Sequence, residues 1–80
     1  MTINELKERL RAEKIPEGWY CLEQEGYRDD TTRLLFTKGK WLVYYIERGM
    51  KSDISEFETE SDACEELLSR MLEDINSYRR

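Results

Sequence analysis

The chain has 80 residues, 39% apolar and 39% charged, with a net charge of −5 and no histidine. Eighty residues enclose one core and leave no room for a second domain, so residues 1–80 are read as one unit. The nine aromatics argue against a disordered chain, and no apolar run approaches the about 20 residues of a membrane span.

The first helix is expected over residues 2–14. Thr2 and Glu5 have capping-box spacing, Ile3, Leu6 and Leu10 share one face, and Pro16 forbids continuation. Three strands follow: Trp19 to Glu23, Thr31 to Thr37, and Lys40 to Glu47. Gly26 and Asp29-Asp30 lie between the first two, Lys38-Gly39 between the next two, and Gly49 closes the third. Residues 50–58 read as a short irregular edge strand. Thr59 caps a second helix over 60–78, whose stripe is Cys64, Leu67, Leu68, Met71, Leu72, Ile75 and Tyr78. The fold class is therefore α+β: helix, a three- or four-stranded antiparallel meander, helix, with both helices on one face.

The third strand is apolar on both sides. Trp41, Val43 and Tyr45 point one way, and Leu42, Tyr44 and Ile46 the other. Either the outer side is covered by long neighbouring side chains, or it offers an aromatic surface to a partner or a second copy.

The residues for catalysis are largely missing. Without histidine, neither Cys21 nor Cys64 has its usual activating partner, and no CxxC pair marks a metal site. The four glycines form no phosphate-binding loop. The chain is expected not to be an enzyme and to use no cofactor or metal. Both cysteines are expected to be reduced and buried. The N-terminal segment Met1 to Lys7 lacks the apolar core of an export signal, which points to the bacterial cytoplasm.

Charge is segregated along the chain. Residues 31–52 sum to +4, whereas residues 53–66 sum to −7, with Asp53, Glu56, Glu58, Glu60, Asp62, Glu65 and Glu66 and no base. Such separation bears on partners and encounter rates rather than on the fold. Acids at a helix start are ordinary; here they also form a surface able to meet a basic protein. Helix, meander, helix is the order of double-stranded-RNA-binding domains too, but those grip phosphates through lysines at the last helix. Thr59-Glu60-Ser61-Asp62 occupies that place here. No nucleic acid and no membrane are expected as partners, and RNA binding through the +4 segment is the third reading.

Residues 39–49, from Gly39 through Trp41, Val43, Tyr44-Tyr45 and Glu47-Arg48-Gly49, are followed by Phe57 and by Thr59-Glu60 and Ala63-Cys64 at the final helix. This pattern, with Leu10 to Pro16 upstream, resembles a family of small bacterial immunity proteins encoded beside polymorphic toxins, including contact-dependent growth inhibition and Rhs-type systems. The resemblance implies a cytoplasmic protein that binds and neutralises a cognate toxin domain, often a nuclease. The residues expected to meet it are Asp53, Glu56, Glu58, Glu60, Asp62 and Glu65, with Trp41 and Tyr45 as aromatic anchors. The alternative is a small homodimeric interaction or regulatory module joined through the aromatic strand face.

Overall fold

The computed structural model describes residues 1–22 and 29–78. Helix α1 (Ile3–Ala12) begins in the expected capping box. Thr2 Oγ1 accepts the Glu5 N–H at 3.2 Å, and the Glu5 carboxylate accepts the Thr2 N–H at 2.9 Å. These bonds hold the Glu5 carboxyl below its ordinary pKa. The helix stops two residues before the expected Lys14. Lys14 adopts φ 60°, its N–H reaches Arg11 O, and the Ile15 N–H reaches back to Leu10 O, both at 3.0 Å. This six-to-one closure buries Ile15 beside Leu10 and ends α1 before Pro16 does.

After a 3-10 turn at Glu17–Trp19 come β1 (Tyr20–Leu22), β2 (Thr31–Thr37), β3 (Lys40–Glu47) and β4 (Met50–Phe57), side by side in chain order. The sheet is mixed. β2–β3 and β3–β4 are antiparallel, but β1 runs parallel to β2, with Tyr20 opposite Thr32 and Leu22 opposite Leu34. The fully antiparallel meander is thus corrected at its first pair. Two-residue turns join the other pairs, whereas eight residues separate Leu22 from Thr31, longer than ordinary hairpin loops. Glu23 and Gly26, expected at the end of the first strand, lie outside the described residues.

Both two-residue turns put positive φ at two successive positions. Lys38 and Gly39 have φ 52° and 77°, and Arg48 and Gly49 have φ 52° and 76°. That is the turn geometry matching the strand twist. The β4 segment is an edge strand of eight residues within the expected 50–58, and it carries one irregularity. Val43 faces Ser55 and Tyr45 faces Ser52, so Asp53 and Ile54 together oppose Tyr44, with Asp53 at φ 51°. This bulge bends the edge strand.

Helix α2 (Glu60–Tyr78) starts where Thr59 Oγ1 accepts the Asp62 N–H at 3.1 Å. It lies over β2, β3 and β4, and α1 packs chiefly on α2. Leu6 and Leu10 of α1, Cys64, Leu67, Leu68, Met71 and Ile75 of α2, and Leu22, Leu34 and Val43 of the sheet form one core. The two helix starts are also pinned together: Glu60 Oε2 accepts the Ile3 N–H at 3.0 Å, and Ser61 Oγ accepts from the N-terminal amine at 2.8 Å.

The far side of the sheet is not an open aromatic surface. Tyr44, in register with Arg33 and Cys21, is 1% exposed, and Ile46 and Thr31 are buried beside it. Lys51 Nζ lies 5.0 Å from the Tyr44 ring centroid. Cys21 and Cys64 are both buried and form no disulfide, one on each side of the sheet. No described helix is long and apolar enough to cross a membrane.

Candidate binding groove

Near Leu22, Leu34 and Val43, large apolar side chains fill the space between sheet and α2. Further along, the same sheet side carries Thr32, Tyr45, Ser52 and Ser55 by register. These residues are too small or too polar to close the gap, and the Asp53 bulge displaces the strand. A cavity of about 760 Å³ results, lined on the sheet by Thr32, Tyr45, Asp53, Ile54 and Ser55 and on α2 by Glu66, Ser69, Arg70, Glu73 and Asp74. A second cavity of about 460 Å³ shares Thr32, Tyr45 and Asp74 with it and adds Trp19, Asp30, Ser77 and Tyr78. Together they form one groove along α2. Trp19 and Tyr78 meet edge-to-face at its far end, 5.6 Å between centroids.

Arg70 pins the helix to the edge strand. Its Nε donates to Glu66 Oε2 at 2.7 Å, and its Nη2 donates to Asp53 O at 2.8 Å and Ser55 Oγ at 3.1 Å. These are charge-assisted bonds, the stronger kind. Because Glu66 already neutralises Arg70, the remaining acids give the groove its character. Asp30, Asp53, Glu73 and Asp74 line it, and Arg70 is the lone base among the described lining residues. Burial, followed by the charge of Glu73, pushes the Asp74 carboxyl above its ordinary value of 3.8, with Arg70 opposing. Burial also raises the Tyr45 hydroxyl, helped by Asp30, whose carboxylate accepts from it at 3.4 Å.

Asp29 and Asp30 are more than a turn. The Asp29 carboxylate accepts the Gly49 N–H at 3.0 Å, and the Asp30 N–H donates to Ile46 O at 2.7 Å. The entry to β2 is thereby tied to the β3–β4 turn, which sets Asp30 beside Tyr45. No three Cys, Asp or Glu side chains among the described residues converge enough to hold a metal ion.

Of the residues singled out in the sequence, the groove brings together Asp53 and Tyr45. Trp41 packs half-buried on the core, and its ring lies 4.8 Å from that of Phe36. Glu56, in register with Leu42, projects on the opposite side of the sheet, 3.7 Å from Lys40 Nζ. Glu60 holds the two helices together. Glu58, Asp62 and Glu65 are exposed at or near the entrance of α2, outside the groove. The sequence reading missed Asp30, Arg70, Glu73 and Asp74 and left Glu66 out of its candidates. One signal was available: Glu66-Arg70 and Glu73-Asp74 flank the apolar stripe of α2 on one side. Summing charge over blocks hid it, because Glu73 and Asp74 fall in a C-terminal stretch with three arginines. Comparison with family models, with curated proteins and with solved structures finds no match to this chain.

Proposed function

We propose that this chain is a binding protein, without a reaction of its own, that docks a basic surface of a protein partner. The observation carrying this reading is the charge of the groove: five lining carboxylates against one guanidinium that is already paired. Acids at this density in a concave site attract cationic side chains and speed encounter with a basic partner. They repel nucleic-acid phosphates. Tyr45, Trp19 and Tyr78 add ring faces suited to Lys or Arg. The exposed acids Asp62 and Glu65 on the same helix extend the negative field beyond the groove.

The partner we propose is a toxin domain acting in the bacterial cytoplasm, a nuclease whose substrate cleft is lined by Lys and Arg. The immunity-family pattern over residues 39–68 supports that choice. Carboxylates held in a rigid groove can take the places of substrate phosphates in such a cleft. The test is protection. The C-terminal domain of a large protein encoded beside this gene is expressed in cells with and without the chain. The wild-type chain should restore growth, and a chain carrying Glu73→Lys and Asp74→Lys should restore much less while keeping its helical circular dichroism. A neighbouring domain that is harmless, or protection undiminished by both reversals, contradicts the proposal.

A further inference from the structure

The groove accounts for one side of β4, but not for its free edge. β4 is a sheet margin of eight residues, and Met50, Lys51, Ser52, Asp53, Ile54 and Glu56 are all exposed. Met50 is 73% exposed and Ile54 54%. A bulge and charged side chains are also devices that deter edge pairing. What sets this strand apart is how its side chains match when a second copy is turned end for end.

Antiparallel pairing about the centre of the bulge sets Lys51 opposite Glu56 of a second copy, and Glu56 opposite its Lys51. It sets Met50 opposite Phe57, and Ser52 opposite Ser55. Paired residues must project on the same side of a sheet. In a regular strand, residues 51 and 56 would lie on opposite sides. Here the extra residue at Asp53 brings them to the same side, since Lys51 pairs with Ile46 and Glu56 with Leu42. Met50 and Phe57, opposite Glu47 and Trp41, likewise share the α2 side.

The backbone agrees. Glu47 and Met50 close a two-residue turn, so the polar groups of Met50 and Ser52 point toward β3 and those of Lys51 point outward. By the same alternation beyond the bulge, Ser55 and Phe57 point inward and Glu56 outward. The residues whose charges match are thus those with backbone groups to offer. Asp53 O, at the bulge, is already bonded by Arg70 and needs no strand partner.

We infer that β4 is a self-pairing edge, and that two copies join through it into one continuous eight-stranded sheet. Two ion pairs and two Met–Phe contacts select the register. The two-fold axis stands perpendicular to the sheet, so both α2 helices lie on the same side and the two grooves adjoin. Repulsion between those acids keeps the affinity modest.

The test uses the chain alone: sedimentation equilibrium from low micromolar to millimolar protein, at physiological salt. The wild type should show a concentration-dependent dimer. Lys51→Glu and Glu56→Lys each set like charges opposite one another in both pairs and should weaken it about tenfold. The double swap restores opposite charges and should recover the wild-type constant within about threefold. Lys51 and Glu56 amides should gain exchange protection as concentration rises. Both side chains are exposed, and unchanged circular dichroism confirms that the variants fold. A wild type that stays monomeric at millimolar concentration overturns the inference. So does a dimer indifferent to both single reversals, or one whose protected amides lie in β1. None of these outcomes touches the groove proposal, which concerns a different partner and is tested at Glu73 and Asp74.

Discussion

Arg70 ties α2 to the edge strand, because one guanidinium satisfies a carboxylate, a strand carbonyl and a hydroxyl. It is 19% exposed, so solvent screens these bonds only in part. Arg70→Ala should cost about 1–2 kcal/mol in chemical denaturation. Arg70→Lys should recover only part of this, since an ammonium cannot reproduce the planar fork. Asp74 lies on the same helix side with a different signature. Its folded pKa is raised, so the folded state binds this proton more tightly than the unfolded chain does. The stabilising contribution is full below 3.8 and is lost as pH rises through the folded value. Asp74→Asn should therefore show a smaller fall in stability than wild type as pH rises from 3.8 toward neutral. In a carboxyl titration by NMR, Asp74 should take up its proton at a higher pH than an ordinary aspartate. A titration at or below 3.8 would show that burial and Glu73 do not govern this group.

At the scale of elements, the left-handed positions carry the clearest stability predictions. Lys14 ends α1 at φ 60° where glycine is the usual choice, and Lys38 and Arg48 hold the first turn positions at φ 52°. Lys14→Gly, Lys38→Asn and Arg48→Asn should each stabilise by about 0.5–1 kcal/mol, read as a rise in denaturation midpoint. Leu67→Ala, under the sheet centre, should cost about 2–5 kcal/mol by opening a cavity in the core. These elements were legible in the sequence for physical reasons. The capping box, the α2 stripe and the two-residue turns are local signals, each carried by residues within a few positions of one another. The parallel β1–β2 pair was not legible, because it depends on how a long connection returns the chain. The end of α1 was misjudged for a related reason: Lys14 adopts a conformation its residue type does not advertise. The groove was half legible. Asp53 and Tyr45 were visible as an acid and an aromatic. Their meeting with Arg70, Glu73 and Asp74 depends on a bulge and on small residues in β4, which no charge count displays.

For the whole molecule, the proposed docking uses charge in a place rather than charge merely carried in excess. Reversals in the groove and at the entrance of α2 change net charge equally, so net charge alone predicts equal effects on a basic partner. The groove account predicts unequal ones. Glu73→Lys with Asp74→Lys should slow association roughly tenfold or more at low salt and also raise dissociation. Glu58→Lys with Asp62→Lys should slow association less and leave dissociation unchanged. Raising the salt should shrink the second effect more than the first, since exposed charges are screened most. The decisive measurement is the stopped-flow association and dissociation of the proposed basic partner with these two double variants, at low and physiological salt. Faster dissociation confined to the groove variant is the predicted result. Equal dissociation rates for the two variants would contradict the groove as the docking site.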